Sequence, residues 1–93
     1  MSLEQLVSKY IASAEHVFDN IEIAESFTNL ESVKKVLEFA KAYLEDAKYY
    51  RNKKQLDVGL TSIAYCEGLL DALRLLGAVK FEWPTERKER REK

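Results

Sequence analysis

The sequence is poor in the residues that interrupt helices and in those that cross-link a chain. It has three glycines, one proline and one cysteine among 93 residues. So few turn residues favour long helices over many short strands. The lone cysteine excludes an internal disulfide framework. No apolar run approaches the roughly 18 residues that a membrane span requires, so we expect no membrane association.

The chain also lacks a recognisable secretion signal, and together with the single cysteine this predicts a cytoplasmic location. Apolar residues make up 46% of the sequence and charged residues 33%, an ordinary composition for a folded soluble domain. The length suits one modest core. We therefore predict a single domain over residues 1–84. The almost wholly charged residues 85–93 have nothing to bury and are predicted to form a disordered tail.

Apolar residues recur at steps of three and four through three stretches, which predicts three amphipathic helices at about residues 3–22, 29–52 and 55–76. Ser2 with Gln5 and Thr28 with Glu31 have capping-box spacing, and Gly77 suits the end of the third helix. The connections are short, and Asn52 suits a left-handed helix end. The fold class is therefore all-α, an antiparallel three-helix bundle. The acidic first helix should lie beside the basic second helix.

The third helix is apolar on more than one side. Its predicted buried arc has Ile63 at the edge and consists of Val58, Ser62, Cys66, Leu69, Leu70, Leu73 and Leu76. Gly59 lies on the same arc and would let another helix approach closely. Val79, Phe81 and Trp83 alternate with polar residues after this helix, so residues 78–84 are predicted to cover one end of the bundle.

A resemblance is carried by Tyr43-Leu44-Glu45-Asp46-Ala47-Lys48-Tyr49-Tyr50 and by the third helix from Ile63 to Gly77, which contains Tyr65-Cys66-Glu67-Gly68-Leu69-Leu70-Asp71-Ala72. These segments resemble the archaeal domain-of-unknown-function family number 357, and the similarity spans roughly residues 3–80. Family members often have Gly-Asp in the second turn, where this chain has Lys54-Gln55. The resemblance implies a small helical bundle and an archaeal source. It implies no activity and no cofactor.

Three carboxylates, Asp46, Glu67 and Asp71, lie near the predicted seam between the second and third helices. Paired carboxylates can perform acid–base chemistry or hold a metal ion. Metal sites in helical bundles use Glu-x-x-His pairs on core helices, however, and the only histidine is His16, off the apolar stripe of the first helix. We favour a structural interpretation, in which Arg74 pairs with Asp71 and tyrosine hydroxyls of the second helix bind the remaining carboxylate.

Four tyrosines, Tyr43, Tyr49, Tyr50 and Tyr65, lie near the same end. Aromatic rings beside basic residues can stack on nucleobases. We interpret Tyr43, Tyr50 and Tyr65 as residues at the edge of the core. Tyr49 falls outside the stripe and is the best exposed contact candidate.

A basic row is the main nucleic-acid signal, and its candidate contacts are Lys34, Lys41, Lys48, Arg51, Lys53 and Lys54. Glu38 and Glu45 interrupt the row at spacings typical of ordinary helix pairs. A solvated helix face therefore explains the row better than a nucleic-acid surface does.

Cys66 lies on the buried arc without a neighbouring base, and the sequence has no catalytic triad, phosphate loop or zinc motif, so an enzyme is the least supported class. The favoured function is a non-enzymatic module for protein interaction or homodimer formation, without cofactor or metal. Its support is the apolar surface of Leu60, Ala64 and Leu75, opposite the predicted core arc. The alternative is a nucleic-acid-binding accessory protein. The candidate interaction residues are Asp46, Tyr49, Tyr50, Leu60, Tyr65, Glu67, Asp71 and Arg74.

Overall fold

Three helices and two short strands follow one another along the chain. The computed structural model describes residues 1–26 and 28–84. The elements are α1 (Leu3–Asn20), β1 (Glu22–Ile23), α2 (Leu30–Asn52), α3 (Leu56–Leu75) and β2 (Val79–Lys80). The predicted helical bundle is confirmed, and every helix ends within two residues of its predicted bounds. The predicted tail, residues 85–93, lies outside the described residues.

The helix ends show where local sequence signals were correct and where they were not. The capping box at the start of α1 is confirmed, because Ser2 and Gln5 exchange both hydrogen bonds. The predicted box at Thr28 is wrong: Asn29 caps α2 instead, its side-chain oxygen accepting from the backbone N–H of Ser32 at 3.3 Å. The asparagine side chain one residue later provides an equivalent acceptor.

The turn between α2 and α3 has its left-handed residue later than predicted. Asn52 is still helical, and Lys54 takes the positive φ of 63°. The backbone N–H of Lys54 donates to the carbonyl of Arg51 at 3.0 Å, which closes the turn. Close approach of the next helix is confirmed at Gly59, where an added Cβ would lie 3.5 Å from the carbonyl oxygen of Ala47.

The end of α3 leads into a small sheet that was not predicted from the sequence. Gly77 has a φ of +81°, as its predicted place at the helix end requires, and reverses the chain. Strand β2 then pairs antiparallel with β1, Glu22 opposite Lys80 and Ile23 opposite Val79. With helices predicted at about residues 3–22 and 29–52, Glu22 was expected to end the first helix and Ile23 to lie in the connection. That prediction is wrong for β1, whose partner lies far along the chain.

The core has two parts. The larger part lies among all three helices and includes Ile11, Leu44, Ile63 and Leu70, with Cys66 fully enclosed. The smaller part lies at the sheet end, where Val33, Leu73, Ala78 and Val79 pack together. As predicted, residues 78–84 cover one end of the bundle; this segment is called the strap below. Trp83 of the strap is buried within the larger core.

The buried side of α3 is rotated relative to the predicted arc. Val58 and Leu76 were expected inside and are exposed, and Leu69 is only half-buried. Ile63, expected at the edge, is fully buried. The strap covers the side of α3 that bears Asp71, and the described residues leave Val58 and Leu76 uncovered.

Candidate interaction surface

The acidic α1 and the basic α2 lie side by side, as their charges predict. Lys48 Nζ lies 2.9 Å from a carboxylate oxygen of Glu15 on α1 and 3.4 Å from one of Glu45. The hydrogen bond with Glu15 is the main cause of a raised pKa at Lys48. Lys54, after α2, lies 2.8 Å from Glu4. Two members of the basic row therefore already have carboxylate partners within the chain.

Other members of the row contact aromatic rings or polar groups. Lys41 Nζ lies 5.1 Å from the ring centre of Phe18, and Lys53 Nζ lies 5.6 Å from that of Tyr49. Arg51 donates to the hydroxyl oxygen of Ser8 at 3.4 Å. Lys34 is exposed on α2. The row therefore faces α1 along much of its length and is not a separate basic surface.

The three candidate carboxylates do not converge on one site. Asp46 is exposed on α2, Glu67 is half-buried on α3, and Asp71 is buried with 7% of its surface exposed. The indole N–H of Trp83 donates to Asp71 Oδ1 at 2.7 Å. Among residues 1–26 and 28–84, no group of three His, Cys, Asp or Glu side chains could hold a metal ion.

Arg74 lies over the strap, beside Asp71. Its guanidinium lies 5.6 Å from the ring centre of Phe81, and Arg74 Nη2 lies 3.8 Å from Asp71 Oδ1. That distance is longer than a hydrogen bond, so the predicted pair is an ion pair only. A patch made of Leu60, Glu67, Asp71 and Arg74 is therefore not an open surface, since Asp71 is beneath Trp83 and Leu60 packs against the core.

The tyrosines form two pairs. Tyr43 and Tyr65 stack across the α2–α3 seam with ring centres 5.2 Å apart, and Tyr49 contacts Tyr50 edge-on at 5.1 Å. Tyr49 is exposed, as predicted, and Tyr50 is half-buried. Tyr65 was expected at the core edge but is 59% exposed. The Tyr43–Tyr65 pair also fixes which residues of α2 and α3 lie side by side.

A surface of uncharged side chains runs along the side of α3 that no other described segment covers, and Asp57 borders it in the first turn of the helix. We call it the outer face. Its nine residues are all exposed except the half-buried Leu69. They are Val58, Thr61, Ala64, Tyr65, Gly68, Leu69, Ala72, Leu75 and Leu76. A shallow apolar depression on this face is lined by Leu60, Thr61, Ala64, Tyr65, Gly68 and Leu69.

One edge of the outer face is completed by α2. Four exposed residues of α2 follow a spacing of four, three and four positions, so they share one side of that helix. They are Lys35, Phe39, Ala42 and Asp46. Phe39 is one helical turn from Tyr43, which stacks on Tyr65. This stripe, the α2 edge, therefore has a base at one end, an acid at the other and Phe39 between them.

Sequence analysis found part of this surface. It predicted correctly that Ala64 and Leu75 lie on the outward side, but it placed Val58 and Leu76 in the core and Tyr65 at the core edge. The useful signal was the absence of charge on one side of α3 beyond Asp57 in its first turn. Phe39 and Lys35 were missed, because the pattern of α2 does not show that α1 covers the opposite flank of this helix and leaves the α2 edge exposed.

The single cysteine has no reactive surroundings. Cys66 is fully buried, and desolvation is the main reason that its pKa rises to about 12, with the nearby charge of Glu67 contributing. The thiolate is the nucleophilic form, so this cysteine is held in its unreactive state at neutral pH.

The fold and surface define a small helical bundle with one uncharged helix face and a C-terminal strap. Residues 9–79 match the family described as protein of unknown function DUF357. The match spans most of the 93 residues, and the chain belongs to this family. Comparison with curated proteins and with solved structures finds no match. Within the described part of the chain, no helix is both long and apolar enough to cross a membrane.

Proposed function

We propose that the chain is a non-enzymatic module that binds another protein chain through the outer face of α3. The supporting observation is how little charge this side of α3 has. A third of all residues are charged, yet beyond Asp57 in the first turn of α3 every exposed residue on this side of the helix is uncharged. The solvated side of α2, by contrast, alternates Lys34, Glu38, Lys41 and Glu45.

The composition of α3 supports the same proposal. A helix with apolar residues on all sides is typical of a position covered on all sides. The described residues cover α3 on the sides of Ile63, Leu70 and Asp71 only. Leu75 is 79% exposed and Leu76 is 67% exposed. A protein partner would remove these side chains from water, and each Å² of apolar surface buried in this way stabilises the complex by about 25 cal/mol.

The non-enzymatic part of the proposal is supported by the state of the candidate reactive groups. The Cys66 thiol is buried and protonated, and the Asp71 carboxylate is bound by Trp83. His16 is exposed on α1. We also propose a cytoplasmic location, on the ground of the single thiol.

Nucleic-acid binding is the weaker alternative. Phosphate contacts require lysines and arginines directed at the ligand. Lys48 and Lys54 are paired with Glu15 and Glu4, and Lys41 lies over Phe18. Binding a phosphate backbone would therefore break existing contacts.

A photo-crosslinking comparison tests the protein-interaction proposal. A benzophenone amino acid replaces Ala72 on the outer face in one variant and Glu38 on the solvated side of α2 in the matched control. Both positions are exposed. Irradiation in source-cell extract should give a discrete protein adduct from position 72 alone. No adduct, or the same adducts from both positions, would contradict a protein-binding role for this face.

A further inference from the structure

We propose that the outer face binds the outer face of a second copy of this chain, with the two α3 helices antiparallel across a two-fold axis. The inference rests on the proposed function and names its partner. Three independent features carry it: a glycine without a role in the monomer, a charge pattern that complements itself, and a sufficient area.

Gly68 is the first feature. It lies within α3, where glycine destabilises a helix by about 1 kcal/mol relative to alanine. Its backbone angles need no glycine, and an added Cβ would meet nothing within 4 Å. Gly59 differs, because its missing side chain lets α2 lie close. Packing within the chain therefore explains Gly59 but not Gly68.

A second helix backbone would explain Gly68. Ala64, Gly68 and Ala72 recur every four residues on the outer face, so three successive turns have small side chains or none. With the two-fold axis at Gly68, each Gly68 meets its own copy and Ala64 meets Ala72 of the other chain. Larger residues, Thr61 and Leu75, then meet at the ends. Small residues in the centre allow close approach, and no charge faces its own copy across the axis.

The α2 edge is the second feature. The stack of Tyr43 on Tyr65 places Ala40 of α2 beside Gly68 of α3, because the two helices run in opposite directions. Lys35 precedes Ala40 by five residues and Asp46 follows it by six. A two-fold axis at this level therefore brings Lys35 of each chain opposite Asp46 of the other. A parallel arrangement would instead put the two α2 edges on opposite flanks of the α3 pair, so that neither Lys35 would lie opposite Asp46 of the other chain.

The available area is the third feature. The 20 residues of α3 span about 30 Å at 1.5 Å per residue. Two helices side by side, about 9 Å apart, give a face about 20 Å wide and roughly 600 Å² in each chain. Two such faces bury roughly 1,200 Å², the lower limit for specific interfaces. The interface reaches this limit only if the α2 edge is included. Because the buried area is at the lower limit, we expect the dimer to be reversible.

The test measures the molecular mass of the purified protein by sedimentation and light scattering over a range of protein concentrations. We expect a concentration-dependent dimer. Ala72→Glu should weaken it by about 100-fold or more, because two carboxylates would be buried near the axis. The matched control is Ala12→Glu, the same change at an exposed position of α1, which should leave the dimer intact. A monomer at about 500 μM, or equal weakening by both changes, would overturn the proposal.

Four further variants test the packing and the orientation, and they also replace Ala72→Glu if that variant fails to fold. Gly68→Ala should raise the melting temperature of the dilute monomer and yet weaken the dimer. Lys35→Asp and Asp46→Lys should each weaken the dimer by about tenfold, and the double variant should restore it. Failure of this restoration would contradict the antiparallel arrangement.

The outcomes also separate this inference from the proposed function. A monomeric protein that still gives a position-72 adduct with a different protein would refute self-pairing and leave the interaction module standing. A monomeric protein without that adduct would refute both.

Discussion

Leu70 shows what a single side chain contributes to this bundle. It is fully buried in the larger core, between residues of α1 and α2. Leu70→Ala should lower the free energy of unfolding by about 2–5 kcal/mol, because the surrounding helices cannot close the cavity completely. Denaturant melts at low protein concentration measure this loss. Leu75→Ala, the same change at an exposed site, should cost less than about 0.5 kcal/mol. Similar losses at both sites would mean that the buried face of α3 is wrongly assigned.

Cys66 makes stability depend on pH in the alkaline range. Its pKa is about 12 in the folded chain, against about 8.5 in an unfolded one. The folded state therefore retains a proton that the unfolded state loses. The thiol's contribution is complete below about pH 8.5 and is lost as the pH rises toward 12, by up to about 1.4 kcal/mol per pH unit.

Unfolding melts at pH 8 and pH 10 measure the effect, with Cys66→Ala as the control that lacks the thiol. The decrease in the free energy of unfolding should be larger in the unchanged protein. Equal decreases in both proteins would show that the thiol is not the group responsible.

At the scale of elements, the strap is attached to α3 by a buried side-chain hydrogen bond as well as by apolar contacts. The indole of Trp83 donates to Asp71, which is almost fully enclosed. Trp83→Phe keeps an aromatic ring but removes the donor, and should lower the free energy of unfolding by about 1–3 kcal/mol.

Asp71→Asn is the matched variant, since it keeps a side-chain oxygen that can accept from Trp83. It should cost less than Trp83→Phe in the same denaturant melts. The reverse order would indicate that the Asp71 charge, rather than the indole hydrogen bond, attaches the strap.

The helices were predictable from local pattern, and the features that depend on distant contacts were not. Ser2, Gln5 and Gly77 act within one or two turns of their own positions, so their roles follow from spacing. Strand β1 depends on pairing with residues far along the chain, and its two residues have no periodicity of their own. The burial of Asp71 was missed because it depends on Trp83, twelve residues later, reaching it.

The candidate surface was predicted in part for the same reason. Outward positions of α3 could be inferred from helical geometry. The α2 edge, in contrast, is exposed only because α1 covers the other side of the α2–α3 pair. The amphipathic pattern of α2 identifies its buried side but does not show which of its flanks a neighbour covers.

At the scale of the whole molecule, two lysines of the basic row are paired with carboxylates of α1. We therefore expect no salt-sensitive complex with single- or double-stranded DNA or RNA, even at low ionic strength. A gel-shift series with each nucleic acid measures this, and Lys41→Glu with Lys48→Glu is the comparison variant. A complex that weakens steeply with salt and is lost in this variant would favour the nucleic-acid alternative.

The pairing of β1 with β2 also bears on the order in which the chain folds. It joins residues 22 and 80, which are 58 positions apart (80 − 22), whereas only residues 53–55 separate α2 from α3. Closing a long loop loses more chain entropy than closing a short one. We therefore expect the α2–α3 pair to form early and the sheet to form late. The N–H of Ala24, which donates to Ala78, should therefore exchange its hydrogen with solvent sooner than the amide of Ala47 in the core.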